Sequence, residues 1–345
     1  MQAHQAEQLQ RREHRVYWWK EALVAALFYA IYSWTRNQFG SNKIAADGIP
    51  EQPFTNAERI IDLELSMGMF HEQTVQAWFL PYTGFIQFWN VFYGTAHFGV
   101  TLGVFVLLFV RRADVFPLWR NTLAAMTALA ILGFSFFPLM PPRLLDAPCP
   151  IPTTGDEIQT QYGGECIESS LRGDDGTFGF VDTLAEYGGP WSFDSETMAS
   201  ISNQYAAMPS LHIGWATWCA FAVWPLLRSR WAKALVLLYP AATLFTIVVT
   251  GNHYWIDGIG GLIVLALGAA IGIGLHRWNQ RRLDRKFAAT LPAPDATADP
   301  ALDAFSEGNS VPTPAHSNAD ERFEETRDSR SCHPPAPVRS YPDQQ

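Results

Sequence analysis

Two short stretches of this chain carry residues that can do chemistry. One is Ala206-Ala207-Met208-Pro209-Ser210-Leu211-His212. The other is Thr250-Gly251-Asn252-His253-Tyr254-Trp255-Ile256-Asp257. Each sets a histidine at the mouth of a long apolar run. His253 and Asp257 stand at i and i+4, so a helix covering them presents both on one face. A carboxylate beside an imidazole fixes its tautomer and supports positive charge on the ring. That pairing equips His253 as a nucleophile or a base. Ser210 and His212 read as the opening turn of a helix, where free amides and the positive end of the dipole suit a phosphate.

The elements that must position these residues are apolar. The 345 residues include 13 Trp, 23 Phe and 11 Tyr, and 48% are hydrophobic, yet the mean hydropathy is −0.01. Very apolar blocks therefore alternate with very polar ones. Six blocks are long enough, at ~1.5 Å per residue, to cross a ~30 Å hydrocarbon core. They run over about 16–34, 85–110, 118–139, 210–227, 231–249 and 255–274. The first could be read as a cleaved signal peptide. Its bulky Tyr32-Ser33-Trp34 ending lacks a small-x-small site and favours a retained anchor. Thr55-x-x-Glu58 reads as a capping box. The helix it opens mixes Ile60, Ile61, Leu63, Met67 and Phe70 with Glu58, Arg59, Asp62, Glu64 and Glu72. That composition fits an interfacial helix lying on a bilayer, or an ordinary packed surface helix.

Six spans put both termini on one side. Arg11, Arg12, Arg15 and Lys20, then Arg111 and Arg112, then Arg228, Arg230 and Lys233, then the basic cluster from Arg277 to Lys286 all fall there, which makes it the cytoplasm. The expected organisation is a cytoplasmic segment 1–15, a six-span catalytic domain 16–286 and a disordered cytoplasmic tail 287–345 rich in Pro, Ala, Asp and Glu. The fold class is all-α: a polytopic six-helix transmembrane bundle with an interfacial helix and a long extracytoplasmic loop, about 141–208. Cys149 and Cys166 fall in that loop, where a disulfide between them can form and two free thiols are the alternative. Cys219 reads as packing, and Cys332 lies in the tail. A net charge of −9 argues against a nucleic-acid partner. The expected partners are the bilayer itself and a lipid phosphate.

This topology brings Arg143, Ser210, His212, Thr250, Asn252, His253 and Asp257 to one membrane face from three separate segments. Pro141-Pro142-Arg143-Leu144, Ala207-Met208-Pro209-Ser210-Leu211-His212, Asn252-His253-Tyr254 and the His-x-x-x-Asp spacing resemble the type 2 phosphatidic acid phosphatase (PAP2) superfamily. The fuller wording is similar to its inositolphosphotransferase branch, which includes inositol phosphorylceramide synthases. The resemblance covers roughly residues 85–276. It implies a transferase or phosphatase of lipid metabolism that uses no cofactor and no metal. His253, oriented by Asp257, would form a phosphohistidine, and His212 would serve as acid and then base. Arg143, Ser210 and Asn252 would hold the phosphate oxygens.

The chain departs from the phosphatase pattern. Phe136 and Phe137 stand where that pattern has a lysine, and Ile247 stands where it has a second arginine. With two cations fewer, either Arg143 and Asn252 suffice, or the substrate carries less charge, as a phosphodiester does beside a monoester. Asn90, Tyr93 and His97 step along the outer half of the second span, where polar groups face a bundle interior or a cavity. Tyr93 and His97 are expected beside the site, reading an acceptor hydroxyl, with an interhelical hydrogen bond as the bland alternative. Asp182 and Thr183 are weaker candidates, in an acidic loop that can bind polyol hydroxyls or simply be solvated. His97, His212, His253 and Asp257 could hold zinc by residue type, but no His-x-x-x-His or Cys-x-x-Cys pair nucleates such a site. The expected activity is phosphoryl or phospho-headgroup transfer from a phospholipid or polyprenyl phosphate to a polyol, at the extracytoplasmic face of the plasma membrane. The rivals are hydrolysis of a lipid phosphate, such as phosphatidic acid or a polyprenyl (di)phosphate, and a transporter or scaffold that keeps the fold without catalysis.

Overall fold

The computed structural model describes residues 18–39, 50–145, 169–173, 176–188 and 204–290. The chain is helical, with no strand among the described residues. The helices are α1 (Trp18–Phe39), α2 (Glu51–Ser66), α3 (Glu72–Phe79), α4 (Thr83–Arg111), α5 (Phe116–Phe136), α6 (Thr183–Glu186), α7 (Leu211–Val223), α8 (Arg230–Val249) and α9 (Trp255–Thr290). Single 3-10 turns cover Pro142–Leu145 and Trp224–Leu226. The loop calls at Cys149, Cys166 and Cys332, residues 1–15 and all but the start of the tail lie outside the described residues.

Three helices are long and apolar enough to cross a membrane: Thr83–Arg111, Arg230–Val249 and Trp255–Lys286. The other three expected spans fall short of that standard for visible reasons. α1 carries Lys20, Glu21 and Arg36, and α5 opens with Arg120 and Asn121. α7 has 13 residues, which at ~1.5 Å each is about 20 Å. Long rows of apolar side chains remain exposed, among them Phe88, Phe98, Leu102 and Val106 on α4, Leu235 and Leu238 on α8, and Ile263 and Leu267 on α9. Continuous exposed apolar surface of this kind belongs in lipid. The chain is a membrane protein.

α9 lies flush against α5. A Cβ at Gly268 would sit 2.8 Å from both the Cβ and the backbone nitrogen of Met126, and one at Gly272 would sit 2.8 Å from the Thr122 nitrogen. Small residues let backbones approach where lipid supplies no hydrophobic drive between helices. Val104 and Leu108 of α4, Phe116 and Met126 of α5, Trp218 and Cys219 of α7 and Leu265 of α9 fill the bundle interior. Cys219 packs there, its sulfur 3.5 Å from the Thr101 hydroxyl.

A second core sits at the end of the bundle where α5 and α8 finish and α7 and α9 begin. Phe54, Ile60 and Ile61 of α2 meet Leu139, Met140 and Leu144, with Phe178, Phe180, Tyr205 and Tyr254. The polar loop expected over 141–208 is thus partly packed structure rather than a solvated lid. The Thr55 capping box does not form. α2 starts at Glu51 with Pro50 as its cap residue, because Pro53 falls in the first turn, where its missing N–H costs nothing. The expected single interfacial helix is two, α2 and α3, separated at Gly68 with φ +66°.

Candidate active site

Ser210 is the N-cap residue of α7, in extended conformation, and its side chain makes no capping bond. His212 therefore lies in the first turn, with amides beside it that no side chain caps. The Ser210 amide donates to the Asp257 carbonyl at 2.9 Å, so the two chemical stretches are tied through their backbones. A Cβ at Gly261 would come within 2.4 Å of the Ser210 carbonyl oxygen; only glycine lets α9 pass so close beneath α7.

α8 ends in a turn that aims His253. Thr250 closes the helix, and Gly251 follows with φ +67°, a left-handed conformation that glycine adopts freely. The Ile247 carbonyl then accepts from both the Asn252 and His253 amides, at 3.0 Å each. This turn uses the backbone of Ile247, whose side chain is fully buried. The Gly251 carbonyl accepts from the Arg143 amide at 2.7 Å, which brings the segment after α5 alongside.

The buried His253 ring places Nδ1 3.2 Å from Asp257 Oδ2, and the same oxygen accepts the Tyr254 amide at 3.0 Å. A carboxylate there selects the Nδ1–H tautomer. The lone pair of Nε2 then points to Ser210 Oγ, 3.4 Å away. His212 faces His253 edge to face, ring centres 5.5 Å apart. Tyr93 stacks on His212 at 4.3 Å, and the His97 ring lies 4.2 Å from it. Tyr93 and His97 of α4 thus stand in the layer behind His212. Phe92, Tyr93, His97, His212 and Ile247 line a narrow crevice too tight to admit a water molecule.

Arg143 reaches the same place from the 3-10 turn after α5. Its Nε donates to Asn252 Oδ1 at 3.0 Å, and its Nη1 donates to Asp182 Oδ2 at 2.6 Å. The other oxygen of Asp182 accepts from the Leu184 and Ala185 amides as the cap of α6. Asn252 donates to the Thr250 hydroxyl at 2.8 Å. Thr183 contacts Asn90 Oδ1 at 3.1 Å and the Thr250 carbonyl at 3.0 Å, and Asn90 donates to the Thr183 carbonyl at 2.7 Å. Asn90 therefore grips the loop instead of facing the histidines. Every residue singled out in the two motifs, with Arg143, Tyr93 and His97, converges on this end of the bundle. Phe136 does not: it is exposed on the outside of α5.

Three residues with a place in this architecture were missed from the sequence. Gln76 of α3 exchanges two hydrogen bonds with the Val181 backbone, at 2.9 and 3.1 Å, and so anchors the segment leading to Asp182. Glu72 and Glu64 accept the first amides of α9, Trp255 at 3.0 Å and Ile256 at 2.8 Å. A signal existed for Glu64. It follows Ala57, Ile60 and Ile61 at helical spacing, on the stripe that α2 buries.

The profile of the PAP2 superfamily matches residues 58–271. Those bounds enclose α4 to α8, the first part of α9 and every side chain of the site. The chain belongs to the PAP2 superfamily, a membership that suggests a lipid phosphatase or phosphotransferase. Comparison with curated proteins and with solved structures yields no match.

Proposed function

We propose that the chain transfers a phospho-headgroup from a phosphodiester lipid to a hydroxyl acceptor, by the inositolphosphotransferase type of reaction, through a phosphohistidine at His253. The single observation that carries this reading is the aim of the ring. Asp257 occupies Nδ1, and Nε2 faces Ser210 at the uncapped start of α7. In the first step Nε2 attacks phosphorus, the N–P bond forms and the P–O bond to the lipid alcohol breaks. His212 gives that oxygen its proton. In the second step the acceptor hydroxyl returns a proton to His212, its oxygen attacks phosphorus and the N–P bond breaks. Arg143, Ser210, Asn252 and the first amides of α7 hold the non-bridging oxygens as charge develops. Tyr93 and His97 back His212 and border the acceptor's place.

Charge supports a diester donor over a monoester. Arg143 is the cation that the described residues bring to the histidines, and Asp182 already offsets it. One further negative charge is easier to accommodate here than two. The helix directions support a six-span arrangement of α1, α4, α5, α7, α8 and α9. α4, α7 and α9 begin, and α5 and α8 finish, at the end that carries the site. Arg111 and Arg112, Arg228 and Arg230, and the basic end of α9 mark the other. α7 with its 3-10 extension, at ~1.5 and ~2.0 Å per residue, reaches about 25 Å. By the positive-inside rule the site is extracytoplasmic and the termini cytoplasmic, in the plasma membrane.

The test uses purified protein in mixed micelles with lipid labelled at phosphorus, with and without inositol or another polyol. Transfer gives a labelled phosphodiester that joins the headgroup to the acceptor. Label released only as the phospho-headgroup would make the protein a hydrolase. An acid-labile phosphohistidine that is absent in His253→Ala is expected, and its absence in the wild type would remove the covalent mechanism.

A further inference from the structure

Glu64 and Glu72 do not lie on a solvated face. Both have no exposed surface, and each uses one oxygen to accept a first-turn amide of α9. The Glu72 carboxyl stands beside that of Glu64. Oε2 of each meets no hydrogen-bond partner among the described residues. A carboxylate only accepts, so neighbouring buried carboxyls disfavour each other's charge. Burial, with Glu72 alongside, pushes the Glu64 carboxyl up to about 9. With Asp257 on the Tyr254 amide, three consecutive amides, 254 to 256, each end on a buried carboxyl.

We propose that Glu64 and Glu72 are positioning residues: each accepting an amide at the start of α9, they clamp α2 and α3 onto its first turn so that Asp257 holds His253 at its working angle. The proposal rests on the reading of His253 as the nucleophile. The groups facing the pair are Asp257 and the Tyr254 phenol from the start of α9, with His253 beyond Asp257. Tyr254 is itself engaged, donating to the Met140 carbonyl at 3.2 Å. Removing the Glu64 proton would set a buried charge beside Glu72 and Asp257, with no water to screen it. The clamp would open, and the turn carrying Asp257 would lose its hold on the ring.

The proton makes the pair testable by amide substitution. In Glu64→Gln the carbonyl oxygen still accepts from Ile256, and the NH₂ faces Glu72 with no proton to lose. In the double variant Glu64→Gln/Glu72→Gln both carbonyls still accept, but two NH₂ groups face each other. Turnover of labelled phosphatidylinositol in mixed micelles is measured from pH 6 to 10.5. The wild type is expected to decline above about pH 9, and Glu64→Gln is expected to keep kcat within about threefold and to lack that decline. The double variant is expected to lose kcat by about 10- to 100-fold with little change in KM. Independently of turnover, amide exchange of the peptide over 252–258 should be slow in the wild type and in Glu64→Gln, and about tenfold faster in the double variant.

A Glu64→Gln variant as impaired as the double, or one whose alkaline decline matches the wild type, overturns the proposal. So does wild-type activity that chelation abolishes and a divalent cation restores, since the carboxyls would then hold a cation. If the double variant fails to fold, Glu64→Gln against wild type still decides. If the wild type turns over no lipid, the nucleophile reading fails by itself, and the exchange pattern at 252–258 decides the clamp.

Discussion

Two helices begin side by side at the site, and they treat their first amides in opposite ways. α9 opens with Trp255 and Ile256 bonded to buried Glu72 and Glu64, and with Asp257 folded back on Tyr254. α7 opens at Ser210 with no side-chain cap. The positive end of each dipole attracts anions equally. One has been filled by the protein's own carboxyls, and the other is the one proposed to receive the phosphate. The difference teaches which terminus is scaffold and which is site. A capped start is rigid, so α9 is suited to carry the orienting carboxylate. An open start is a place for phosphate oxygens, and it lies where Ser210 and His212 face Nε2 of His253.

The largest effect should come from the scaffold's most direct output. Asp257→Asn keeps the shape but frees the imidazole tautomer. On the order of 10³- to 10⁴-fold of kcat should be lost, with KM nearly unchanged, measured by phosphatidylinositol turnover. A loss confined to KM would break the division of labour between the two termini.

Converting the open start into a closed one is the sharper test. Ser210→Asp places a carboxylate where α7 has none, so the helix should be as stable or more so. The substrate should be repelled, with kcat/KM down about 10²- to 10³-fold. Ser210→Ala, which removes one hydroxyl contact and adds no charge, should cost only about tenfold. Equal losses in the two variants would mean that the start of α7 does not meet the phosphate.

Asp182 probes how the cation is held. Asp182→Asn leaves the α6 cap largely intact but loosens Arg143, so kcat/KM should fall by about three- to tenfold. Arg143→Lys should lose far more, because an ammonium cannot make the Nε and Nη1 bonds at once.

The smallest effect concerns stability. The folded chain keeps the Glu64 proton up to about pH 9, whereas the unfolded chain releases it near 4.5. Folding therefore takes up a proton across that window, and this contribution to stability is full below about 4.5 and is lost as pH rises through about 9. Thermal unfolding in detergent should show Tm drifting down with pH over the window. Glu64→Gln should show less of the drift.

Much of the site was legible in the chain because its chemistry is local. His253 and Asp257 stand four residues apart, across the start of α9, and Ser210 and His212 open α7 two residues apart, so each pair is near in sequence before the rest of the fold acts. The apolar blocks of α4, α8 and α9 were legible for the same kind of reason: a long run of apolar side chains can satisfy its backbone only as a helix. The apolar register of α7 was also visible, though its helix is shorter than the block. Asp182 was harder to read. It sits in a run of Gly, Asp and Glu that composition describes as solvated, yet it is 7% exposed and bonded to Arg143. That contact spans 39 residues, and no periodicity reports on it.

Residue identity and short-range spacing were enough to specify which side chains could act on a phosphate and that they would stand at the ends of apolar helices. Long-range packing alone settled that Glu64 and Glu72 close the start of α9 while the start of α7 stays open. A carboxylate has the same composition whether it faces water or an amide far along the chain, and what separates those fates is the burial that the assembled helices impose.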